Sequence, residues 1–111
     1  EVSTICVGVA ASMGAWILSQ GQKNKRFILP NAEVLIHQPL GGVSGQASDI
    51  LNTAENIIKI KNKMIKMLAL ATGQKEEKVA KDVDRDFWMD AEESKKYGIV
   101  DKIMIKPATK K

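Results

Sequence analysis

Apolar residues in the first third of the chain are interrupted by short polar or glycine-containing breaks, and this pattern predicts alternating strands and helices. Residues 4–9 form a β-branched run that is apolar on both faces, as expected of a buried parallel strand. A helix through residues 16–18 follows and ends near Gly21, where we expect a positive φ. The mostly apolar run at residues 34–37 predicts the next strand. A strand, a helix and a strand in this order indicate a right-handed crossover between parallel strands.

The segments around these elements have simpler patterns. Residues 23–26 are predicted to be a basic exposed loop, and residues 27–29 a short strand. Residues 38–45 are rich in glycine and are not expected to be helical. From Ala47 onward, apolar residues recur at three- and four-residue spacing over about 25 residues, which predicts a long amphipathic helix. Gly73 is expected to end this helix.

Capping signals divide the last third of the chain into short elements. Asp90 and Glu93 form a capping pair that opens a helix, and Gly98 closes it. A helix over residues 75–83 precedes this unit, and a strand within residues 99–105 follows it. The whole chain is therefore predicted to have an α/β fold.

Composition narrows the possible classes of protein. A length of 111 residues with 44% apolar content suits one domain over residues 1–111, with a polar tail at residues 107–111. The net charge of +4 is mild, and no aromatic residues interleave with the lysines of the long helix, so we expect no nucleic-acid partner. Residues 2–22 are uncharged but diluted by serine, glycine and glutamine, so we expect no membrane span.

The cysteine and histidine counts limit metal chemistry. One cysteine, Cys6, excludes an intrachain disulfide and a multi-cysteine zinc site within this chain. One histidine, His37, leaves no His-pair metal motif and makes this residue the source of any neutral-pH imidazole chemistry. We therefore expect no metal and no cofactor.

Ser12 stands where a strand is predicted to turn into a helix. Hydrolase nucleophiles favour this position because the turn lifts the hydroxyl clear of the sheet, and small neighbours such as Ala10 and Gly14 allow the tight backbone. The backbone N–H of Met13 would point at a developing oxyanion. The alternative interpretation is that Ser12 only caps the helix.

His37 ends a strand that should run parallel to the strand before Ser12, so the two side chains should share one edge of the sheet. The alternative is a histidine that belongs to the core. A catalytic histidine would also need a carboxylate to hold its ring. The candidates, which spacing does not separate, are Asp82, Asp84 and Asp86. Asp86 precedes an apolar pair at residues 87–88 that we expect to bury it.

Arginine is rare in this chain, since only Arg26 and Arg85 are found among 17 basic residues. Such sparing use suggests that Arg85 stands where a planar, bidentate side chain is needed. Its neighbours Asp84 and Asp86 favour an ion-pair network. A plain surface ion pair is the alternative.

Several long motifs follow one another along the chain: residues 8–15 (GVAASMGA), 26–31 (RFILPN), 36–42 (IHQPLGG), 45–49 (GQASD), 71–74 (ATGQ), 84–87 (DRDF) and 91–101 (AEESKKYGIVD). Together they resemble the proteolytic subunit of the ATP-dependent Clp protease, over nearly the whole chain. The resemblance implies a fold similar to that of the crotonases, with parallel βαβ units. It also implies a protruding handle over residues 43–72.

The resemblance implies a serine endopeptidase, a hydrolase that cuts unfolded polypeptides. It implies Ser12 as the nucleophile, His37 as the general base and Asp86 as the acid that orients the base. Met13 would supply one oxyanion N–H. A strand that pairs with the extended substrate would be formed by Leu40, Gly41 and Gly42.

The resemblance also implies an assembly that works in protein quality control. Two seven-membered rings would stack into a closed tetradecamer that an AAA+ ATPase unfoldase feeds. The residues expected at the interface between the rings are Gln46, Asp49, Asp84 and Arg85. The expected location is the bacterial cytoplasm, the mitochondrial matrix or the plastid stroma. Subunits of the family are longer at the N-terminus, so we expect this chain to be the C-terminal part of a subunit and inactive alone.

Two other functions are compatible with parts of this pattern. A non-catalytic ring paralogue would assemble without cutting, but such paralogues typically lose a triad member, and none is lost here. An acyl-CoA hydratase or isomerase of crotonase type would share the oxyanion chemistry. It would need neither the serine, histidine and aspartate set nor a handle helix.

Overall fold

The computed structural model describes residues 1–37 and 47–105. In the second range, side chains are described from residue 51 onward. Several predictions fall outside these residues. They concern the glycine-rich segment, the polar tail, the side chain of Asp49, and Leu40, Gly41, Gly42 and Gln46.

The described residues form six short strands and four helices. In chain order they are β1 (Thr4–Cys6), β2 (Val9–Ala11), α1 (Met13–Ser19), β3 (Arg26–Ile28), β4 (Glu33–Ile36), α2 (Ala47–Thr72), α3 (Glu76–Val83), β5 (Phe87–Met89), α4 (Ala91–Tyr97) and β6 (Lys102–Ile103). None of the described helices is long and apolar enough to cross a membrane.

The strands lie in two three-stranded sheets, in the orders β1–β3–β6 and β2–β4–β5. β1 pairs in parallel with β3, and β2 pairs in parallel with β4. β6 is parallel to β3, whereas β5 is antiparallel to β4. The predicted α/β class with parallel strands is therefore confirmed, and β5 is a strand that the sequence pattern missed.

The single strand predicted over residues 4–9 is wrong, because this segment forms two strands in different sheets. The carbonyl of Cys6 accepts a hydrogen bond from the N–H of Leu29 (3.0 Å), whereas the carbonyl of Gly8 accepts one from Glu33 (2.9 Å). The chain therefore changes partner between β1 and β2. A straight strand could not do this, since β3 and β4 belong to different sheets.

Gly21 is required for a different reason than predicted. Its φ is not positive, and the non-glycine residue with a left-handed backbone in this loop is Asn24, with φ 73°. A Cβ at Gly21 would lie 2.6 Å from Thr4 Oγ1, so the end of α1 can approach β1 only if this residue has no side chain.

Arg26 is not part of an exposed loop, because it begins β3 and is 1% exposed. Its guanidinium binds the Asp101 carboxylate through Nη2 (2.7 Å) and Nε (2.9 Å). Its Nη1 donates to the carbonyls of Ser19 (3.1 Å) and Ala71 (2.9 Å). The hydrogen bond from Arg26 holds the pKa of Asp101 below its ordinary value. This buried ion pair ties together the ends of α1 and α2 and the loop before β6.

The long helix is confirmed as α2, which has 26 residues. Its C-terminal half packs into the core through Ile65, Leu68 and Ala69. In its first half, Leu51 is 64% exposed and Ile58 is 57% exposed. The apolar stripe of this helix is thus covered by the chain itself over only part of its length.

The capping prediction for α4 is confirmed. The Asp90 carboxylate accepts from the N–H of Glu93 (2.8 Å), and the Glu93 carboxylate accepts from the N–H of Asp90 (3.2 Å). Gly98 ends α4 with φ 104°, and Gly73 follows α2 with φ 75°. The last strand is shorter than residues 99–105, because only β6 is paired with β3.

Candidate active site

Ser12 occupies a sharp turn between β2 and α1. Its φ of 54° and ψ of −117° are values that residues with a side chain rarely adopt, so the backbone here is strained. The N–H of Ser12 donates to the carbonyl of Leu35 (3.0 Å), which fixes the turn against β4. This is the strained strand-to-helix turn that presents a nucleophile in many hydrolases.

The Ser12 hydroxyl and the His37 ring are hydrogen-bonded through Oγ and Nε2. His37 directly follows β4, and the parallel pairing of β2 with β4 brings the two residues to one edge of the sheet. Within the described structure, Ser12 makes no side-chain capping hydrogen bond to α1. The interpretation of Ser12 as a simple cap is therefore wrong. His37 is half-buried and its ring is hydrogen-bonded to Ser12, so it is not a fully buried core histidine.

Two of the three candidate aspartates have other partners. Asp82 Oδ2 accepts from the Tyr97 hydroxyl (2.8 Å) and from Lys78 Nζ (3.2 Å). Burial, and then the hydrogen bond to Asp82, raise the pKa of the Tyr97 hydroxyl. Asp84 Oδ1 lies 3.7 Å from Lys61 Nζ.

Asp86 lies immediately before β5, the strand that pairs with β4. In this antiparallel pair, Phe87 is opposite Ile36. One residue further along the same register, Asp86 comes opposite His37, and opposed residues project to the same face of a sheet. The extended register therefore favours Asp86 over Asp82 and Asp84 as the carboxylate next to the histidine.

The expected burial of Asp86 by residues 87–88 is wrong, because Asp86 is exposed. Trp88 is itself 52% exposed and cannot cover its neighbours. Phe87 turns the other way and packs edge-to-face on Tyr97, with 5.8 Å between ring centroids. Alternation along β5 accounts for this, since Met89 is the buried residue of the strand.

Arg85 and Asp84 are both exposed. Arg85 forms no ion pair with another described residue, and the ion pair of Asp84 is with Lys61. The predicted contacts of these residues with an opposite ring stay a prediction. The bidentate role proposed for the rare arginine is filled in this chain by Arg26.

A small cleft, open to solvent, begins at the serine and histidine. Its lining residues are Ser12, Trp16, Ile36, His37, Lys61, Met64, Ile65, Leu68 and Val83. The contribution of α2 to this cleft was not predicted from the sequence. The spacing of Lys61, Ile65 and Leu68 places them on one helix face, which was a usable signal that they share a surface. This spacing did not indicate which residues form the rest of the cleft.

The described residues outside this edge offer no metal centre. Across residues 1–37 and 47–105, no three His, Cys, Asp or Glu side chains are grouped so as to hold a metal ion. Met13, the first residue of α1, follows Ser12 directly.

A hydroxyl on a strained strand-to-helix turn, hydrogen-bonded to an imidazole, is characteristic of hydrolases that use a serine nucleophile. Comparison with known protein families agrees with this class. The family model described as Clp protease matches residues 1–107. The chain therefore belongs to the Clp protease family, and membership of this family supports a proteolytic role.

Proposed function

We propose that this chain carries the catalytic group of a serine endopeptidase, with Ser12, His37 and Asp86 in the three roles. The observation that carries the proposal is the hydrogen bond between Ser12 Oγ and His37 Nε2 at the strained turn. His37 takes the hydroxyl proton as Ser12 attacks the scissile carbonyl, and later gives it to the leaving amine. Asp86 orients the ring and stabilises the imidazolium.

The tetrahedral intermediate places a negative charge on the former carbonyl oxygen. The backbone N–H of Met13 follows the nucleophile at the start of α1, which is where hydrolases of this geometry place an oxyanion donor. The proposal also includes two features that the family implies. They are a second oxyanion donor and a strand that pairs with the substrate at Leu40, Gly41 and Gly42.

The cleft beside Ser12 gives the substrate side chain a place to bind. Its walls are mostly apolar and include residues of α2 together with Trp16 and Ile36. A polypeptide bound with its carbonyl at Ser12 would insert a neighbouring side chain between these walls. Burial of apolar side-chain surface there would contribute binding energy.

We further propose that the chain acts within an assembly of two stacked seven-membered rings, fed with unfolded polypeptides by an AAA+ ATPase. Exposed apolar side chains support an assembly, since Val7, Val9 and Ile17 are each more than half exposed. Gln46, Asp49, Asp84 and Arg85 are the proposed contacts between rings. The bacterial cytoplasm, mitochondrial matrix or plastid stroma is the proposed location.

The assembled protein that carries this chain, treated with a fluorophosphonate probe, tests the proposal. We expect labelling at Ser12, and we expect Ser12→Ala to abolish labelling and lower peptidase kcat by roughly 10⁴-fold or more, because the nucleophile is lost. Ser3→Ala, which removes an exposed hydroxyl remote from the turn, is the matched control. Unchanged peptidase activity in Ser12→Ala would refute the proposal. Ring assembly without any labelling would favour a non-catalytic paralogue, and a thermal shift on adding acyl-CoA would favour a crotonase-like enzyme.

A further inference from the structure

Tyr97 is a buried residue that contacts three other parts of the chain. It is the last residue of α4 and is 6% exposed. Its hydroxyl donates to Asp82 Oδ2 on α3 (2.8 Å), and its carbonyl accepts from the side chain of Gln74 (2.8 Å). Its ring meets the ring of Phe87 edge-to-face at the start of β5. Tyr97 therefore joins α3, β5 and the loop between α2 and α3.

The position of the Tyr97 ring is fixed by polar groups of α3. Burial, and then the hydrogen bond to Asp82, raise the pKa of the Tyr97 hydroxyl, so it remains protonated and donates at neutral pH. Lys78 Nζ lies 3.2 Å from the same Asp82 oxygen and 5.3 Å from the centre of the ring. The ring that packs on Phe87 is therefore held at its hydroxyl and over its face.

The side chain of Asp86 has less support of its own. It is exposed, and its carboxylate forms no ion pair with another described residue. Its place opposite His37 therefore depends on the backbone at the start of β5. Phe87 is the next residue, and the peptide unit between them is rigid, so a displacement of Phe87 moves Asp86 as well.

We propose that Tyr97 is a positioning residue that, through Phe87, holds Asp86 in the place where it orients the histidine. The inference rests on the proposed peptidase function and adds to it a residue that does not line the cleft. Small displacements are important here, because a misplacement of about 1 Å in a catalytic site can cost roughly 10²-fold in rate. The hydrogen bond between Tyr97 and Asp82 is the part of this support that a single substitution removes.

Tyr97→Phe in the assembled protein that carries this chain tests the inference. It removes the hydroxyl and keeps a ring to pack on Phe87. We expect peptidase kcat to fall by roughly fivefold to tenfold and KM to change by less than about twofold, because one supporting hydrogen bond is lost and the cleft is unaltered. The matched control is Ser94→Ala, which removes another buried hydroxyl of α4, bonded to the Asp90 carbonyl (2.7 Å). It should leave kcat within about twofold of the wild type.

A double-mutant cycle with Asp86→Asn shows whether Tyr97 acts through Asp86. The measured quantity is the second-order rate constant for fluorophosphonate labelling of Ser12, because a covalent label accumulates even when turnover is slow. In the Asp86→Asn background, Tyr97→Phe should no longer lower this rate, since the side chain that it positions has already lost its function. A residue that supports only the stability of the fold would lower the rate by the same factor in both backgrounds.

Asp82 provides a second pair of variants that leaves Tyr97 unchanged. Asp82→Ala removes the acceptor of the tyrosine hydroxyl and should lower kcat as Tyr97→Phe does. Asp82→Asn keeps a side-chain oxygen that can accept the same hydrogen bond, so it should retain most of the wild-type rate. Equal rates in these two variants would overturn the inference, and this comparison decides it if Tyr97→Phe fails to assemble.

The outcomes separate this inference from the proposed function. If the wild type is labelled at Ser12 and cleaves peptides, but Tyr97→Phe keeps the wild-type kcat or lowers the labelling rate equally in both backgrounds, the role of Tyr97 is wrong and the peptidase stands. If the wild type is not labelled and cleaves nothing, the peptidase proposal fails and the inference fails with it. An equal loss of kcat in Ser94→Ala also overturns the inference, because the effect would then come from general destabilisation of α4.

Discussion

Asp82, Asp84 and Asp86 are close in sequence, but the fold gives each of them a different neighbour. Asp82 is engaged by Tyr97 and Lys78, and Asp84 by Lys61. Asp86 comes opposite His37 in the continuation of the β4–β5 register. Residue spacing alone could not separate these three, because Tyr97, Lys61 and His37 lie in other parts of the chain. The register of two strands supplies the distinction.

This distinction predicts different results from otherwise identical substitutions. Asp86→Asn should lower peptidase kcat by roughly 10³- to 10⁴-fold, because an amide neither holds the correct imidazole tautomer nor stabilises the imidazolium. Asp82→Asn, the matched control, keeps a side-chain oxygen that can accept from the Tyr97 hydroxyl and should change kcat far less. Steady-state kinetics on the assembled protein would check both variants. Equal losses in the two variants would contradict the assignment of Asp86.

The two arginines show both the strength and the limit of residue-type reasoning. The premise that a rare arginine forms a bidentate contact is correct, but the contact belongs to Arg26 rather than Arg85. The partner, Asp101, is far away in sequence, and Arg26 follows lysines that suggest a solvated loop. Only the pairing of β3 with β6 brings them together.

The Arg26–Asp101 pair predicts an acid-sensitive contribution to stability. Because the pKa of Asp101 is lowered in the folded chain, its contribution is complete above the unfolded pKa near 4 and is lost as pH falls through the folded pKa. Asp101→Asn should cost about 2–4 kcal/mol at pH 7, since Arg26 is left buried without its carboxylate. Urea unfolding at pH 7 and pH 3 measures this difference, which should shrink at the lower pH.

The matched control is Glu1→Gln, which removes a solvent-exposed ion pair with Lys25. Exposed pairs contribute little, so its effect should stay below about 1 kcal/mol at either pH. A difference between wild type and Asp101→Asn that is the same at pH 7 and pH 3 would show that the charge of Asp101 contributes nothing to stability.

At the scale of elements, short sequence motifs correctly predicted the features that depend on neighbouring residues, namely the helix ends. The capping box of α4 and the glycine after α2 involve residues a few positions apart, and both predictions are confirmed. Gly98 also has a requirement that no local pattern could reveal. A Cβ there would collide with the carbonyl oxygen of Thr72, because α4 ends against the last turn of α2.

The strands were less predictable because each is only two to four residues long. Periodicity over so few positions cannot show where β1 ends and β2 begins, since that boundary depends on whether β3 or β4 is the pairing partner. β5 escaped prediction because it follows a charged run. The apolar stripe of α2 predicted that one face of the helix is buried. It did not show that Trp16 and the Ser12–His37 pair lie beside that face, because their proximity depends on the tertiary fold.

At the scale of the whole molecule, the apolar stripe of α2 exceeds the core that this chain provides. Ile65 and Leu68 are buried, whereas Leu51, Ile58 and Ile60 on the same helix are about half exposed or more. Isolated apolar side chains on a surface are ordinary, but a series along one exposed helix is typical of an interaction surface. In the proposed double ring, this part of the handle would be covered by neighbouring subunits.

The double variant Leu51→Gln with Ile58→Gln should therefore weaken assembly without unfolding the chain. Both side chains are largely exposed within the chain, so circular dichroism should remain unchanged, whereas native mass spectrometry should show smaller species in place of the full assembly. Lys59→Gln, on the same exposed stretch, removes a charge instead of apolar surface and should leave the mass unchanged. If the double variant keeps the mass of the wild type, the first half of α2 is not part of the interface, and the subunits must associate through other surfaces, such as the exposed apolar residues of β1 and β2.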